Sequence, residues 1–72
     1  MAEMKVNSLA DVEAVVKQIE AMSADDEAAH ATEDELYEAV LVYIAQGGRS
    51  EAKEMAYAAL GTKELGFARW CA

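Results

Sequence analysis

Seven carboxylates, Asp25, Asp26, Glu27, Glu33, Asp34, Glu35 and Glu38, surround the only histidine, His30, in a stretch with no basic residue between Lys17 and Arg49. Three kinds of chemistry are conceivable for such a group. The spacing Glu27-Ala28-Ala29-His30 places two metal ligands on one helix face, as in carboxylate-bridged di-iron bundles. Those sites need a second Glu-x-x-His and two further glutamates, and a chain with one histidine would complete them only as a dimer. His30 and Asp26 form a conceivable acid–base dyad, but the sequence identifies no nucleophile, oxyanion donors or pocket to go with them. No metal, no cofactor and no enzyme activity are therefore expected. The third chemistry is electrostatic: residues 23 to 46 carry a formal charge of −7 out of −8 for the chain. A field that local belongs to one face, and that face suits a protein partner with a basic surface.

Whether these side chains act together depends on the element that carries them. Proline is absent, period-2 alternation is almost absent, and alanine, glutamate, lysine and leucine dominate, so the chain reads as all-α. A first helix is expected over about 9–22, opened by the capping pair Ser8 and Asp11, with Leu9, Val12, Val16 and Ile19 on one stripe and Val15 and Met22 widening it. A second is expected over about 25–46, ended by Gly47 and Gly48. Two starts compete for it. Ser23 with Asp26 makes one capping box and Thr32 with Glu35 another; the earlier start is preferred, because Asp25, Asp26 and Glu27 then meet the positive end of the helix dipole. Leu36, Tyr37, Val40, Leu41, Tyr43 and Ile44 would form its wide apolar arc, with Glu38 and Val42 opposite. Ser50 should cap a third helix over about 51–60, whose Ala52, Met55, Ala56, Ala59 and Leu60 make a narrow stripe ended by Gly61. A short helical turn over 62–70 would fold Phe67 and Trp70 over the core. The expected architecture is a small three-helix bundle in a single domain, with an aromatic tail.

In a second helix running from Asp25, Asp26 and Glu33 fall on the stripe of Val40 and Ile44, with His30 at its edge. A carboxylate turned inward needs partners, since an unpaired buried charge costs several kcal/mol. His30, Tyr37, Lys63, Arg69 and Trp70 are the candidates. A polar plug of Asp26, His30, Glu33, Tyr37 and Trp70 is thus expected at one end of the bundle, with Asp26 and Asp34 each one turn from His30. A helix starting at Thr32 would instead leave residues 23–31 as a solvated acidic connection.

Composition narrows the setting. Of the residues that make the chain 54% hydrophobic, 16 are alanine, so a 72-residue chain has few large side chains with which to build a core. A single cysteine, Cys71, closes no intrachain bridge and fits a reducing compartment. Residues Met1 to Val6 lack a signal-peptide apolar run, and no stretch approaches the ~20 apolar residues of a membrane span. The cytoplasm is the expected location. With a pI near 4.4, direct binding to nucleic acid or an anionic membrane is disfavoured.

Two stretches, DDEAAHATEDELYEAVLVYIAQGG from Asp25 to Gly48 and GFARWCA from Gly66 to Ala72, resemble a group of short acidic proteins of actinobacteria and their phages. The likeness covers under half of the chain and implies no activity. It implies context: a small accessory protein of the kind a phage makes inside its host.

The leading expectation is a non-enzymatic interaction module that uses the acidic row Asp34, Glu35 and Glu38, with Tyr43 or Tyr57 as aromatic anchors. A DNA-mimicking inhibitor of a basic protein is a narrower form of it. The rival is a structural homo-oligomer, a homodimer being the simplest form, packed through the alanine stripe or the Phe67 and Trp70 tail.

Overall fold

The computed structural model describes residues 4–67 and Arg69, which form three α-helices followed by a 3₁₀ turn. The first helix, α1, spans Leu9–Ala21. Its N-terminus is closed twice over: the Asp11 amide donates to Ser8 Oγ at 3.2 Å, and the Asn7 amide donates to Asp11 Oδ2 at 2.9 Å. This is the expected capping pair, with the return bond falling one residue earlier than in a standard capping box. Val12 and Ile19, two turns apart, are fully buried. Ser23 does not cap the next helix. Its hydroxyl turns back to the Glu20 carbonyl at 2.6 Å and completes the end of α1.

The second helix, α2, spans Asp26–Ala45, which resolves the competing starts in favour of the earlier one. Asp25 is the cap, its Oδ1 accepting from the Ala28 amide at 3.1 Å. Thr32 lies inside the helix, where its hydroxyl donates to the Ala28 carbonyl at 2.8 Å. At the far end the Gly48 amide reaches the Tyr43 carbonyl and the Gly47 amide the Ile44 carbonyl, at 2.9 and 3.0 Å. That pair of bonds defines a Schellman ending, and it requires the left-handed φ of +95° at Gly47. A second glycine is needed for a different reason. A Cβ on Gly48 would stand 2.5 Å from the Tyr43 ring.

The third helix, α3, spans Ala52–Leu60, and its start differs from the expected Ser50 cap. The chain enters through Glu51, held at φ +62° with no side-chain cap. Ser50 instead offers its carbonyl to the Tyr43 hydroxyl at 2.8 Å. The Glu51 carboxylate is spent elsewhere, accepting the Leu9 amide at 3.0 Å. One acid thus serves the N-terminus of α1 from across the bundle, where negative charge meets the helix dipole.

Gly61 does not stop the chain as expected. It sits at φ −61° and leads directly into the 3₁₀ turn Gly61–Glu64, after which the backbone is extended at Leu65. Among the described residues helical structure therefore ends at Glu64 rather than near residue 70, and Trp70 and Cys71 lie outside those residues.

Each helix packs against the other two, and the 3₁₀ turn contacts α1 and α3. Val6, Val12, Ile19, Ala29, Leu36, Ala39, Val40, Met55, Ala59 and Phe67 make the core. The apolar arc of α2 is narrower than expected: Leu41 and Ile44 are 66% and 43% exposed. On α3, Met55 and Ala59 are buried while Leu60 is exposed. Three alanines, Ala29, Ala39 and Ala59, share this core with larger side chains such as Ile19, Leu36, Met55 and Phe67. No described helix is long and apolar enough to cross a membrane.

Candidate functional site

A continuous α2 divides its acids between two environments. Glu33 lies one turn before Leu36 and Tyr37 on the inward side and is 2% exposed. The other six acids of the segment, Asp25, Asp26, Glu27, Asp34, Glu35 and Glu38, are exposed.

A buried carboxylate must be met by donors, and the C-terminal segment brings them. Arg69 Nε donates to Glu33 Oε1 at 2.8 Å, and Nη2 donates to Oε2 at 3.0 Å, a two-point fork. The Thr62 hydroxyl donates to Oε2 at 2.6 Å. Since Thr62 has one hydroxyl proton and gives it to Glu33, the Tyr37 hydroxyl, 2.6 Å from Thr62 Oγ1, must be the donor in that contact. The chain of donors runs from Tyr37 to Thr62 to Glu33. Arg69 is itself held from several sides, donating to the carbonyls of Thr62 at 2.6 Å and Phe67 at 3.2 Å, with its guanidinium 3.9 Å from the Phe67 ring centroid. Phe67 is thereby fixed against the core, and the tail is tied to α2 by an ion pair as well as by apolar burial.

The charges respond in line with this geometry. Burial pushes the Glu33 carboxyl up, but hydrogen bonds from Arg69 and Thr62, the Arg69 charge and the Tyr37 hydroxyl together hold it below the ordinary glutamate value. Burial pushes the Tyr37 phenol up. The hydrogen bond to Glu33 raises Arg69 further, so the pair is ionised throughout the physiological range. Among the described residues every buried side-chain nitrogen or oxygen has a hydrogen-bond partner.

The expected polar plug exists with a different membership. Glu33 and Tyr37 belong to it, Arg69 is the cation, and Thr62 is a fourth member that the sequence reading did not name. His30 and Asp26 are not among the groups bonded to Glu33. His30 faces Asp34 one turn on, with Nε2 3.6 Å from Oδ1, and its side chain is 12% exposed. The reason is angular: three residues along a helix is 300°, so His30 stands about 60° off the Glu33 direction. Asp26, at the first residue of α2, is exposed. Trp70, the fifth expected member, lies outside the described residues. Every polar atom of the Glu33 cluster is used structurally. Among the described residues no group of three histidine, cysteine, aspartate or glutamate side chains is placed to hold a metal ion.

The expected partner-binding residues fall on two separate surfaces. Asp34, Glu35 and Glu38 are exposed on α2. Glu35, Glu38 and Tyr43 line a groove of about 450 Å³ between α2 and the segment Met4–Asn7. Tyr43 is half-buried, stacked on Gly48 and bonded to Ser50, so it closes the turn between α2 and α3 rather than standing free as an anchor. Tyr57 is 82% exposed and lines a different hollow, between α1 and α3, with Leu9 and Leu60.

Comparison with protein-family models, with curated proteins and with solved structures gives no match for this chain.

Proposed function

We propose that this chain is a non-enzymatic protein-interaction module that docks on a basic surface of another protein through the outer face of α2. The observation that carries this reading is the state of Asp34, Glu35 and Glu38: all three are exposed, and none is paired with a lysine or arginine among the described residues. Glu33 shows that the fold supplies a cation to an acid that the core requires. The outward row receives none and keeps its field. An accessory role for a phage inside an actinobacterial host is one setting for such a module. DNA mimicry is a narrower form that this row supports poorly, because a mimic needs charge along both sides of a groove, whereas these acids occupy one side of one helix.

The test is capture of host proteins on the wild-type chain and on the reversal variant Asp34→Lys/Glu35→Lys/Glu38→Lys. A specific partner should be held by the wild type, released as added salt shortens the Debye length, and lost by the variant. A partner held equally by both would refute the assignment.

A second reading, a structural homo-oligomer, is favoured by a separate observation. Tyr57 and Leu60, 82% and 54% exposed, border the hollow of about 570 Å³ between α1 and α3. Sedimentation at micromolar concentration distinguishes the two: a dimer dissolved by Tyr57→Glu supports self-assembly, and a strict monomer removes it.

A further inference from the structure

The exposed side of α2 changes character along its length. Carboxylates occupy it as far as Glu38, and then Leu41 and Val42 follow, 66% and 44% exposed. Glu35, Glu38, Ala39, Val42 and Gln46 succeed one another at short helical steps and form one ridge, ~16 Å long at 1.5 Å per residue. Met4–Asn7 runs beside that ridge, and the groove between them has a volume of about 450 Å³. Its chemistry is split: Ala39 and Val42 give an apolar floor, while Glu35 and Glu38 give a negative rim. Lys5 is the only cation among the lining residues, and it lies beyond ion-pair distance of either glutamate. Among the described residues, no backbone–backbone hydrogen bond engages Met4, Lys5 or Val6. The main-chain donors and acceptors of that segment are therefore not used by backbone pairing among the described residues.

Resting on the interaction reading above, we propose that this groove receives a short segment of another protein in which a lysine or arginine stands next to an apolar residue. The cation answers Glu35 and Glu38, and the apolar side chain covers Val42 and Ala39. A purely cationic segment would leave the floor wet, and a nucleic-acid phosphate would meet the carboxylates. A second copy of this chain carries the same net charge of −8 and is repelled at a distance.

The test is an amide NMR titration of the full chain with three acetylated, amidated five-residue peptides: alternating lysine and leucine, alternating lysine and serine, and alternating glutamate and leucine. The lysine–leucine peptide should shift Asn7, Ala39, Val42 and Gln46, with a midpoint at least about fivefold below that of lysine–serine. The glutamate–leucine peptide should not bind. Val42→Asp, at an exposed position that leaves helicity intact by circular dichroism, should abolish the preference for leucine, while Tyr57→Ala should not change it. Equal midpoints for the two lysine peptides, with shifts spread over Glu27 to Glu38, would overturn the groove and leave the acidic-face reading standing. No shifts with either lysine peptide would overturn both. Concentration-dependent shifts of groove residues without peptide would assign the groove to a second copy and overturn the proposal.

Discussion

Replacing Arg69 by methionine isolates the energetics of the Glu33 cluster. The Glu33 side chain is 3% exposed and the Arg69 side chain 29%. Removing one partner of a buried pair costs about 3 to 5 kcal/mol, mostly the penalty of the charge left behind. Arg69 borders solvent, so water reaches part of the vacated space and discounts that cost to about 2 to 3 kcal/mol. A 72-residue domain has a total stability of roughly 4 to 11 kcal/mol. The substitution should therefore lower the melting temperature by about 8 to 24 °C.

The sign of the pH dependence makes this more than a generic destabilisation. In the wild type Glu33 titrates below the ordinary glutamate value, so its contribution is complete above about pH 4.3 and is lost as pH falls through the lower folded value. Without Arg69, burial dominates and lifts the same carboxyl, so protonation relieves the variant where it weakens the wild type. Contributions from the outward acids are common to both proteins and cancel in the difference. Urea unfolding followed by helical circular dichroism at pH 7 and pH 4 should show the gap between Arg69→Met and wild type shrinking at low pH. The double variant Glu33→Met/Arg69→Met, which removes both charges and leaves Tyr37 to pair with Thr62, should recover to within about 1 kcal/mol of wild type. A gap independent of pH, or a double variant no better than the single, would refute the account.

Two further predictions concern the ends of the helices. Gly48→Ala should cost about 1 to 2 kcal/mol in thermal melts, because a Cβ 2.5 Å from the Tyr43 ring forces out that ring and breaks its bond to Ser50; in a Tyr43→Leu background the cost should fall. Glu51→Gln should cost roughly 0.5 to 1 kcal/mol by chemical denaturation, since it removes the charge that meets the Leu9 amide at the start of α1.

The local signals were readable in the sequence. Ser8 with Asp11, the acids opening α2, and the Gly47–Gly48 pair each act within a few residues of where they stand, and each falls where its chemistry places it. Local reasoning also found that Glu33 turns inward and counted Tyr37 and Arg69 among its candidate partners. It missed Thr62 because a buried threonine carries no spacing signature, and its partner lies 29 residues away. Ser50 was misread for the complementary reason. A serine before a helix looks like a cap, but here the Tyr43 hydroxyl takes its carbonyl and the turn enters through Glu51. The exposure of Leu41 and Ile44 was equally hidden, since apolar residues on a helix reveal a face but not how much of it neighbouring helices cover.

The buried cluster and the exposed row are linked by the rotation of α2. Turning the helix by one residue's angle, about 100°, would take Glu33 out of reach of Arg69 and Thr62 and would also carry Asp34 or Thr32 toward the core. Leu36 and Val40 hold that angle by packing, while Ala29 and Ala39, which share the buried side, interlock little. The two-point fork from Arg69 is directional, so it holds the angle where the alanines do not. The inward pair accordingly helps to fix which acids face outward. The Glu33→Met/Arg69→Met variant separates the two effects: with stability recovered and the direction of α2 no longer pinned by the fork, the lysine–leucine peptide should bind more weakly than to wild type even though no groove residue has been altered. Unchanged binding would show that core packing alone sets the angle.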